Sequence, residues 1–479
     1  MLFCSYYFLF LFLPVVLIGY YSLLFFKLSD CAKIWLVIAS LYFYSFFKIS
    51  YLPIMIFSIC INYLISRILL TGRTNFLRRF SLISGLTINL GVLFYFKYAG
   101  FVSWNLNELF QTNFPLIDVI LPLGISFYTF QQLSYLIDSY GKRTCHYSFL
   151  DYSLFVTFFP QLIAGPIVLA EEMLPQFAKS SRQKLNFRNI NIGLLFFSIG
   201  LAKKTFIADT LAAVANTGFD TNTTLTFSEA WLTTLSFTLQ LYFDFSGYCD
   251  MAMGLAKFFN IDLPINFNSP YKASNFQDFW RRWHITLGRF MMNYLYIPLG
   301  GNRLGNKRTL FNLFIVFVIS GIWHGAGWLF LIWGMLHGGG ILVHRWWKNR
   351  PAALAGWKIP HLIAVGMTFF LVNILWVFFR STSLVRAISI LKSMFSFQTP
   401  VNLSLEFRWG VQNYSEIHFY LLLLLFSLSL ASVFLLPNSN EIVSKTLRHP
   451  ALQTAITVIC CVAGILCIDR GVPFLYFNF

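Results

Sequence analysis

The sequence is poor in charge, and above all in negative charge. Only 11% of its 479 residues are charged, with 18 Asp and Glu against 35 Lys and Arg, whereas a soluble protein averages roughly 25% charged residues. Hydrophobic residues make up 57% of the chain and aromatic residues 19%. This composition excludes an ordinary soluble domain and predicts an all-α, polytopic membrane protein whose helices pack against one another in lipid.

The chain also lacks the cysteine spacings of metal sites and disulfide frameworks. Its eight cysteines lie mostly in apolar runs, and no CxxC pair occurs. We therefore expect free thiols and no metal site. The positive charge gathers in short segments between apolar runs, which is typical of cytoplasmic loops. A membrane-lipid environment is expected, and nucleic acid is not expected as a partner.

Apolar runs long enough to span a membrane recur along the whole sequence, since a span needs about 20 residues. The first is interpreted as an uncleaved span, because it is too long for a signal peptide. The run 151–170 is interrupted by Pro160, Gly165 and Pro166, which predicts a re-entrant segment. We expect a single domain over 1–479 with about 10 to 12 spans, drawn from 6–26, 32–48, 51–70, 80–100, 119–138, 151–170, 189–207, 228–257, 309–324, 328–346, 360–379, 417–436 and 450–468.

The longest polar segment is 260–308, and it is strongly basic. Between 272 and 308 it has seven Lys and Arg against the single acid Asp278, which places it on the cytoplasmic side. One interpretation is an interfacial amphipathic helix among lipid headgroups. The other is that Arg281 and Arg282, together with Trp280, bind the phosphates of a cytoplasmic cofactor.

His324 lies in a glycine-rich stretch between two apolar runs. A histidine at membrane depth is costly unless it has a partner or lines a cavity, so it is either a functional residue or a buried structural one. His337 follows 13 residues later, and an unbroken helix, at about 100° per residue, would put the two on nearly opposite faces. They can share a site only if Gly325 and Gly327 break the helix. His324 is therefore paired with His284. His337 lies in a glycine-rich helix beside Gly338 to Gly340 and is predicted to be structural.

Other polar side chains within apolar runs are predicted to face the protein interior. Asp244 and Asp250 could orient a histidine or pair with an arginine, and the pairing role is favoured. In the stretch 119–140, polar side chains are predicted to bond across helices. The alternative there is that Tyr128 or Gln131 lines a substrate path.

Seven blocks of sequence occur together: PLGISFYTFQ at 122–131, FPQLIAGP at 159–166, YFDFSGY at 242–248, FWRRWH at 279–284, YIPLGG at 296–301, WHG at 323–325 and FLYFNF at 474–479. In this combination the chain resembles the membrane-bound O-acyltransferases. It is most similar to the bacterial branch with the membrane subunits of alginate and peptidoglycan O-acetyltransferases. One departure is Met292-Asn293, where the branch usually has Arg-Asp.

The resemblance implies a fold, a reaction and two site residues. The fold is a ring of membrane helices around a thin centre, with a funnel on each side. His324 would be the catalytic base and His284 an assisting residue. The donor would be acetyl-CoA, and the acceptor an envelope or secreted polysaccharide of alginate or peptidoglycan type. A periplasmic or membrane-anchored acetyltransferase partner would receive the acetyl group at a bacterial inner membrane.

Two alternatives stay open at this point. Within the same family, the chain could export a D-alanyl group to teichoic acid from a carrier-protein thioester. From another class, it could be a non-catalytic transport or scaffold protein with a structural histidine. Transporters often contain inverted repeats, and none is visible in this sequence.

Overall fold

The computed structural model describes residues 1–115, 119–179, 184–220, 223–349, 359–397, 416–468 and 472–475. All regular secondary structure in these ranges is helical, and they contain no β-strand. The all-α class is therefore confirmed. The last block of the resemblance, 474–479, lies mostly outside the described residues, which end at Leu475.

The helices follow the apolar runs of the sequence closely. The first group is α1 (Leu13–Phe25), α2 (Ser29–Ser45), α3 (Leu52–Thr71), α4 (Asn75–Lys97), α5 (Ala99–Phe110), α6 (Ile125–Tyr140), α7 (Phe149–Thr157), α8 (Phe159–Leu162), α9 (Ala170–Ala178), α10 (Phe187–Leu201), α11 (Asp209–Asp220) and α12 (Phe227–Phe258). The second group is α13 (Phe276–Arg282), α14 (Ile285–Met291), α15 (Gly305–His324), α16 (Trp328–Lys348), α17 (His361–Arg380), α18 (Leu384–Met394), α19 (Glu416–Leu435), α20 (Ser439–Thr446) and α21 (Pro450–Ile465).

Several of these helices are long and apolar enough to cross a membrane, so the multi-pass prediction is confirmed. Five such spans occur among the described residues, and a bent pair, Tyr420–Leu435 with Ser439–Thr446, would make a sixth. The other helices are shorter or carry more polar side chains. The expected total of about 10 to 12 spans therefore stays a prediction. The five spans are Phe8–Phe25, Ile49–Thr71, Asn75–Lys97, Phe187–Asp220 and His361–Arg380.

The chain divides into two compact units. One consists of Met1–Ser198 with Cys249–Pro264, and the other of Ile199–Tyr248 with Ile265–Phe479. The prediction of one functional domain over the whole chain stays a prediction.

In the first unit, the segment from α7 to α9 is broken as the prolines and glycine predict. α7 ends at Thr157, and irregular backbone follows the single turn of α8. All residues from 152 to 170 are buried, and the Phe159 N–H donates to Ser40 Oγ at 3.1 Å. Irregular backbone at membrane depth is stable only with such protein partners. The return of this segment to the same side of the membrane stays a prediction.

Polar side chains of α6 bond across helices in the same unit. Gln132 Nε2 donates to Ser58 Oγ at 2.9 Å, and Gln132 Oε1 accepts from the Tyr152 hydroxyl at 3.2 Å. The cross-helix role predicted for this stretch is thus seen at Gln132. Tyr128 and Gln131 are buried in the same helix, and their alternative role in a substrate path stays a prediction.

The second unit contains a tightly packed helical hairpin of α15 and α16. The two helices meet at glycines: a Cβ on Gly321 would lie 2.4 Å from the Phe330 carbonyl oxygen, and a Cβ on Gly334 would lie 2.5 Å from the Phe317 carbonyl oxygen. Small residues allow such close backbone approach between membrane helices. The hairpin carries His324 at the end of its first helix and His337 within its second.

Candidate functional site

His324 is the last residue of α15, where the helix stops. Gly325 and Gly327 are both extended, and α16 begins at Trp328. The imidazole is buried, with 2% of the residue exposed. Aromatic rings surround it, with ring centroids 4.9 Å away at Trp323, 5.1 Å at Trp333 and 5.4 Å at Phe379.

His284 lies between the short helices α13 and α14 in a left-handed backbone conformation, with φ 46° and ψ 51°. This conformation costs a residue with a Cβ about 1 kcal/mol or more. Such strain persists only where the surrounding structure enforces it, and it is concentrated at functional sites. The ring of His284 is buried and packs edge-on against Phe245, with centroids 4.9 Å apart.

Asn266 holds the strained turn in place. Its side-chain Oδ1 lies 3.2 Å from His284 Nδ1 and accepts from the N–H and hydroxyl of Thr286 at 3.2 and 2.9 Å. Its backbone carbonyl accepts from the Ile285 N–H at 3.0 Å. Since the amide oxygen accepts, Nδ1 of a neutral His284 carries the proton and Nε2 is the basic nitrogen. Burial lowers the pKa of His284 to about 3, which keeps the ring neutral.

The structure brings His284 and His324 together. Their ring centroids are 6.5 Å apart. Both rings also pack against Trp323, at 6.2 and 4.9 Å. This separation suits one reacting atom placed about 3 Å from a nitrogen of each ring. The pair predicted from sequence is thus close in space, and its catalytic role stays a prediction.

His337 lies on the same aromatic cluster, because the hairpin is broken where the sequence analysis required it. Trp333 contacts both imidazoles, with ring centroids 5.1 Å from His324 and 4.8 Å from His337. The argument that placed the two histidines on opposite faces holds only for an unbroken helix. His337 is fully buried, and its Nδ1 accepts from the Trp280 indole N–H at 3.2 Å.

The three residues proposed to bind a cofactor have different surroundings. Trp280 packs into the cluster against Trp333, with centroids 5.8 Å apart. Arg282 is partly buried, and its Nε donates to Asp278 Oδ1 at 2.8 Å, one turn back in α13. Arg281 is exposed. Their roles in binding phosphate stay predictions.

A buried ion cluster is joined to the site through α12. Lys204 Nζ is 2.6 Å from Asp244 Oδ1 and 2.8 Å from Asp209 Oδ1, and the lysine is fully buried. Asp244 therefore pairs with a lysine, where the sequence analysis named an arginine or a histidine. Its second oxygen accepts from the Leu475 N–H at 3.0 Å. The next residue, Phe245, packs on His284, so the cluster supports the wall of the site.

Comparison with known sequences decides the family. The sequence model of the membrane-bound O-acyltransferase family matches residues 137–385, more than half of the chain. The chain belongs to this family. It is therefore an acyltransferase and a multi-pass membrane protein, as the resemblance implied. The matched range contains His284, His324 and His337.

Relatives match this acyltransferase over about four fifths of its length or over less than half of it. A peptidoglycan O-acetyltransferase of Helicobacter pylori is 48% identical over 413 residues, which cover 81% of this chain and 78% of that protein. A probable alginate O-acetylase of Pseudomonas aeruginosa is 40% identical over 409 residues, covering 83% of this chain and 76% of the other. A teichoic acid D-alanyltransferase of Bacillus subtilis is 28% identical over 243 residues, covering 47% and 59%.

Proposed function

We propose that the chain is a membrane O-acetyltransferase of a bacterial inner membrane. It takes an acetyl group from cytoplasmic acetyl-CoA and passes it across the membrane for O-acetylation of an envelope or secreted polysaccharide, of peptidoglycan or alginate type. The observation that carries the proposal is the buried pair of His284 and His324, with ring centroids 6.5 Å apart. The activities named for the peptidoglycan and alginate relatives support acetyl as the acyl group.

The reaction needs a base more than it needs any other group. Neutral imidazole is suited to this role near physiological pH. A nitrogen of His324 takes the proton from the acceptor hydroxyl, and the oxygen attacks the thioester carbonyl. The carbon–sulfur bond then breaks, and the thiolate of CoA takes up the proton. The new ester bond holds the acetyl group on the acceptor.

His284 assists this step in our proposal. Its Nδ1–H is directed to Asn266, so Nε2 acts as an acceptor or a positioning group in the neutral ring. Because Asn266 holds the imidazole of His284, this ring need not reorient during the reaction. Groups that are already oriented in this way lower the activation barrier. Loss of His284 should therefore slow the transfer, whereas loss of His324 should abolish it.

The immediate acceptor is proposed to be a periplasmic or membrane-anchored partner protein, which then esterifies the sugar. The sequence contains no Gly-Asp-Ser hydrolase motif, and a separate protein is therefore proposed to carry out the esterification of the sugar. A D-alanyl exporter is the second candidate, supported by the partial match to the teichoic acid enzyme. Free CoA should compete with the donor in the first case and have no effect in the second.

The test is the ester-linked acetate of isolated glycans from strains with matched membrane expression. We compare wild type, His324→Ala and His284→Ala with His361→Ala, an exposed histidine at the start of α17. The acetate should vanish in His324→Ala, fall sharply in His284→Ala and remain in His361→Ala. Equal acetate in all four strains would make His324 structural and would favour a transport or scaffold protein.

A further inference from the structure

The contact between Trp280 and His337 fixes the protonation of a buried imidazole. The indole nitrogen of tryptophan can only donate a hydrogen bond, and Trp280 Nε1 lies 3.2 Å from His337 Nδ1. His337 Nδ1 is therefore the acceptor. In a neutral imidazole the proton must then lie on Nε2, so His337 presents an N–H donor on its other edge.

The Nε2–H group of His337 is buried among aromatic rings. The ring of His337 packs on Trp333 at 4.8 Å, Phe276 at 5.7 Å and Phe279 at 6.3 Å. Nε2 of His337 has no hydrogen-bond partner among the described residues, and the same is true of Nε1 of Trp333. A buried N–H group without a hydrogen-bond acceptor destabilises the protein. Two such donors on adjacent rings indicate a place prepared for an acceptor.

We propose that His337 Nε2–H and Trp333 Nε1–H bind a carbonyl oxygen of the acyl-thioester donor, and so place its acyl group beside His324. This inference rests on the proposed function and names the groups that hold the acyl donor of that reaction. Trp333 packs directly on His324, with ring centroids 5.1 Å apart. An acyl thioester bound to the Trp333 N–H therefore lies close to the base. Trp280 is a positioning residue, because it fixes the tautomer of His337.

The chemistry of the cluster selects the kind of acceptor. Neutral donors among aromatic rings suit an uncharged oxygen, because burying a charged phosphate without a paired cation is far more costly. A thioester donor with a pantetheine arm offers such oxygens in its thioester and amide carbonyls. The phosphates of CoA must then be held elsewhere, for which Arg281 and Arg282 remain the candidates.

The experiment measures binding without turnover. The full chain is purified in detergent, and calorimetry gives its affinity for the acetonyl thioether of CoA, which keeps a carbonyl but cannot transfer an acyl group. His337→Leu should weaken binding about threefold to tenfold, the effect of one lost hydrogen bond. His337→Gln, which keeps an N–H donor, should stay within about twofold of wild type.

Two further variants separate binding from folding. Trp333→Phe keeps an aromatic ring and loses the N–H, so it should weaken binding as His337→Leu does. If His337→Leu does not fold, Trp333→Phe alone tests the inference. His361→Ala, at the exposed start of α17, should bind the analogue like wild type, since it touches neither of the two proposed N–H groups. Unchanged affinity in both His337→Leu and Trp333→Phe would overturn the inference and leave the proposed function intact. If wild type itself does not bind the analogue, the proposed CoA thioester donor is wrong and this inference falls with it.

Discussion

The contact between Gly321 and Gly334 should decide whether the site assembles. An alanine at 334 would place its Cβ 2.5 Å from the Phe317 carbonyl oxygen and 3.1 Å from Gly321 Cα. Backbone atoms cannot rotate away as a side chain does, so α15 and α16 would have to separate by about 1 Å in a closely packed interior. Gly334→Ala is therefore a test of the hairpin as the frame of the site.

Two magnitudes follow from this displacement. Overpacking of this kind costs about 1 to 3 kcal/mol of stability. The displaced residue next to Gly334 is Trp333, which packs on both His324 and His337. A misplacement of about 1 Å in a catalytic arrangement can reduce the rate about 100-fold. Gly334→Ala should thus lose most of its acyl transfer while it still folds.

The matched control is Gly339→Ala in the same helix. A Cβ on Gly339 would meet no atom within 4 Å, and alanine is about 1 kcal/mol more favourable than glycine within a helix. Both variants are measured in detergent for thermal unfolding and in cells for ester-linked glycan acetate. Gly339→Ala should equal or exceed wild type in stability and keep its acetate. If Gly334→Ala matches Gly339→Ala in both measurements, the hairpin contact does not set the geometry of the site.

Three other predictions concern the support of the site. Lys204→Met leaves two buried aspartates without their cation and should cost about 3 to 5 kcal/mol of stability. The control Lys257→Met breaks a partly exposed pair and should cost no more than about 1 kcal/mol. Equal unfolding temperatures of the two variants would contradict this prediction. Asn266→Ala removes the acceptor that orients His284 and should lower the transfer rate about tenfold or more, as measured by kinetics. Its affinity for the CoA analogue, as measured by calorimetry, should change little. Because burial lowers the pKa of His284 to about 3, the unfolded chain binds one more proton than the folded chain between that value and about 6.5. Stability should therefore fall as the pH falls through this window, and thermal unfolding of His284→Gln should show a shallower fall than wild type.

Much of the fold could be predicted from the hydrophobic pattern, because each helix must bury or immerse a long apolar surface. The runs 309–324 and 328–346 correspond to α15 and α16, which span Gly305–His324 and Trp328–Lys348. The break after Thr157 could also be anticipated, since Pro160 and Pro166 cannot continue a helix. Local sequence determines these features, so a single sequence reveals them.

The ion cluster around Lys204 could not be predicted in the same way. Lys204 lies within an apolar run, and its cost there signals a partner. The partners are Asp209 in the following turns and Asp244 in another helix, 40 residues away in sequence. Which acid meets which base depends on how the helices pack, and neither periodicity nor composition contains that information.

The role of His337 shows how one local feature changes the reading of a whole site. The 13-residue spacing puts His337 and His324 on nearly opposite faces only if one unbroken helix carries both residues. Gly325 and Gly327 are extended and the backbone bends at Ala326, so α15 and α16 fold back as a hairpin and the spacing no longer measures an angle. Trp333 then fills the space between the two imidazoles. A site built on such a turn depends on the glycines as much as on the histidines, since a Cβ on Gly325 would lie 2.1 Å from the Phe330 ring. Bulk at Gly325 should therefore impair the site while every polar group in it is retained.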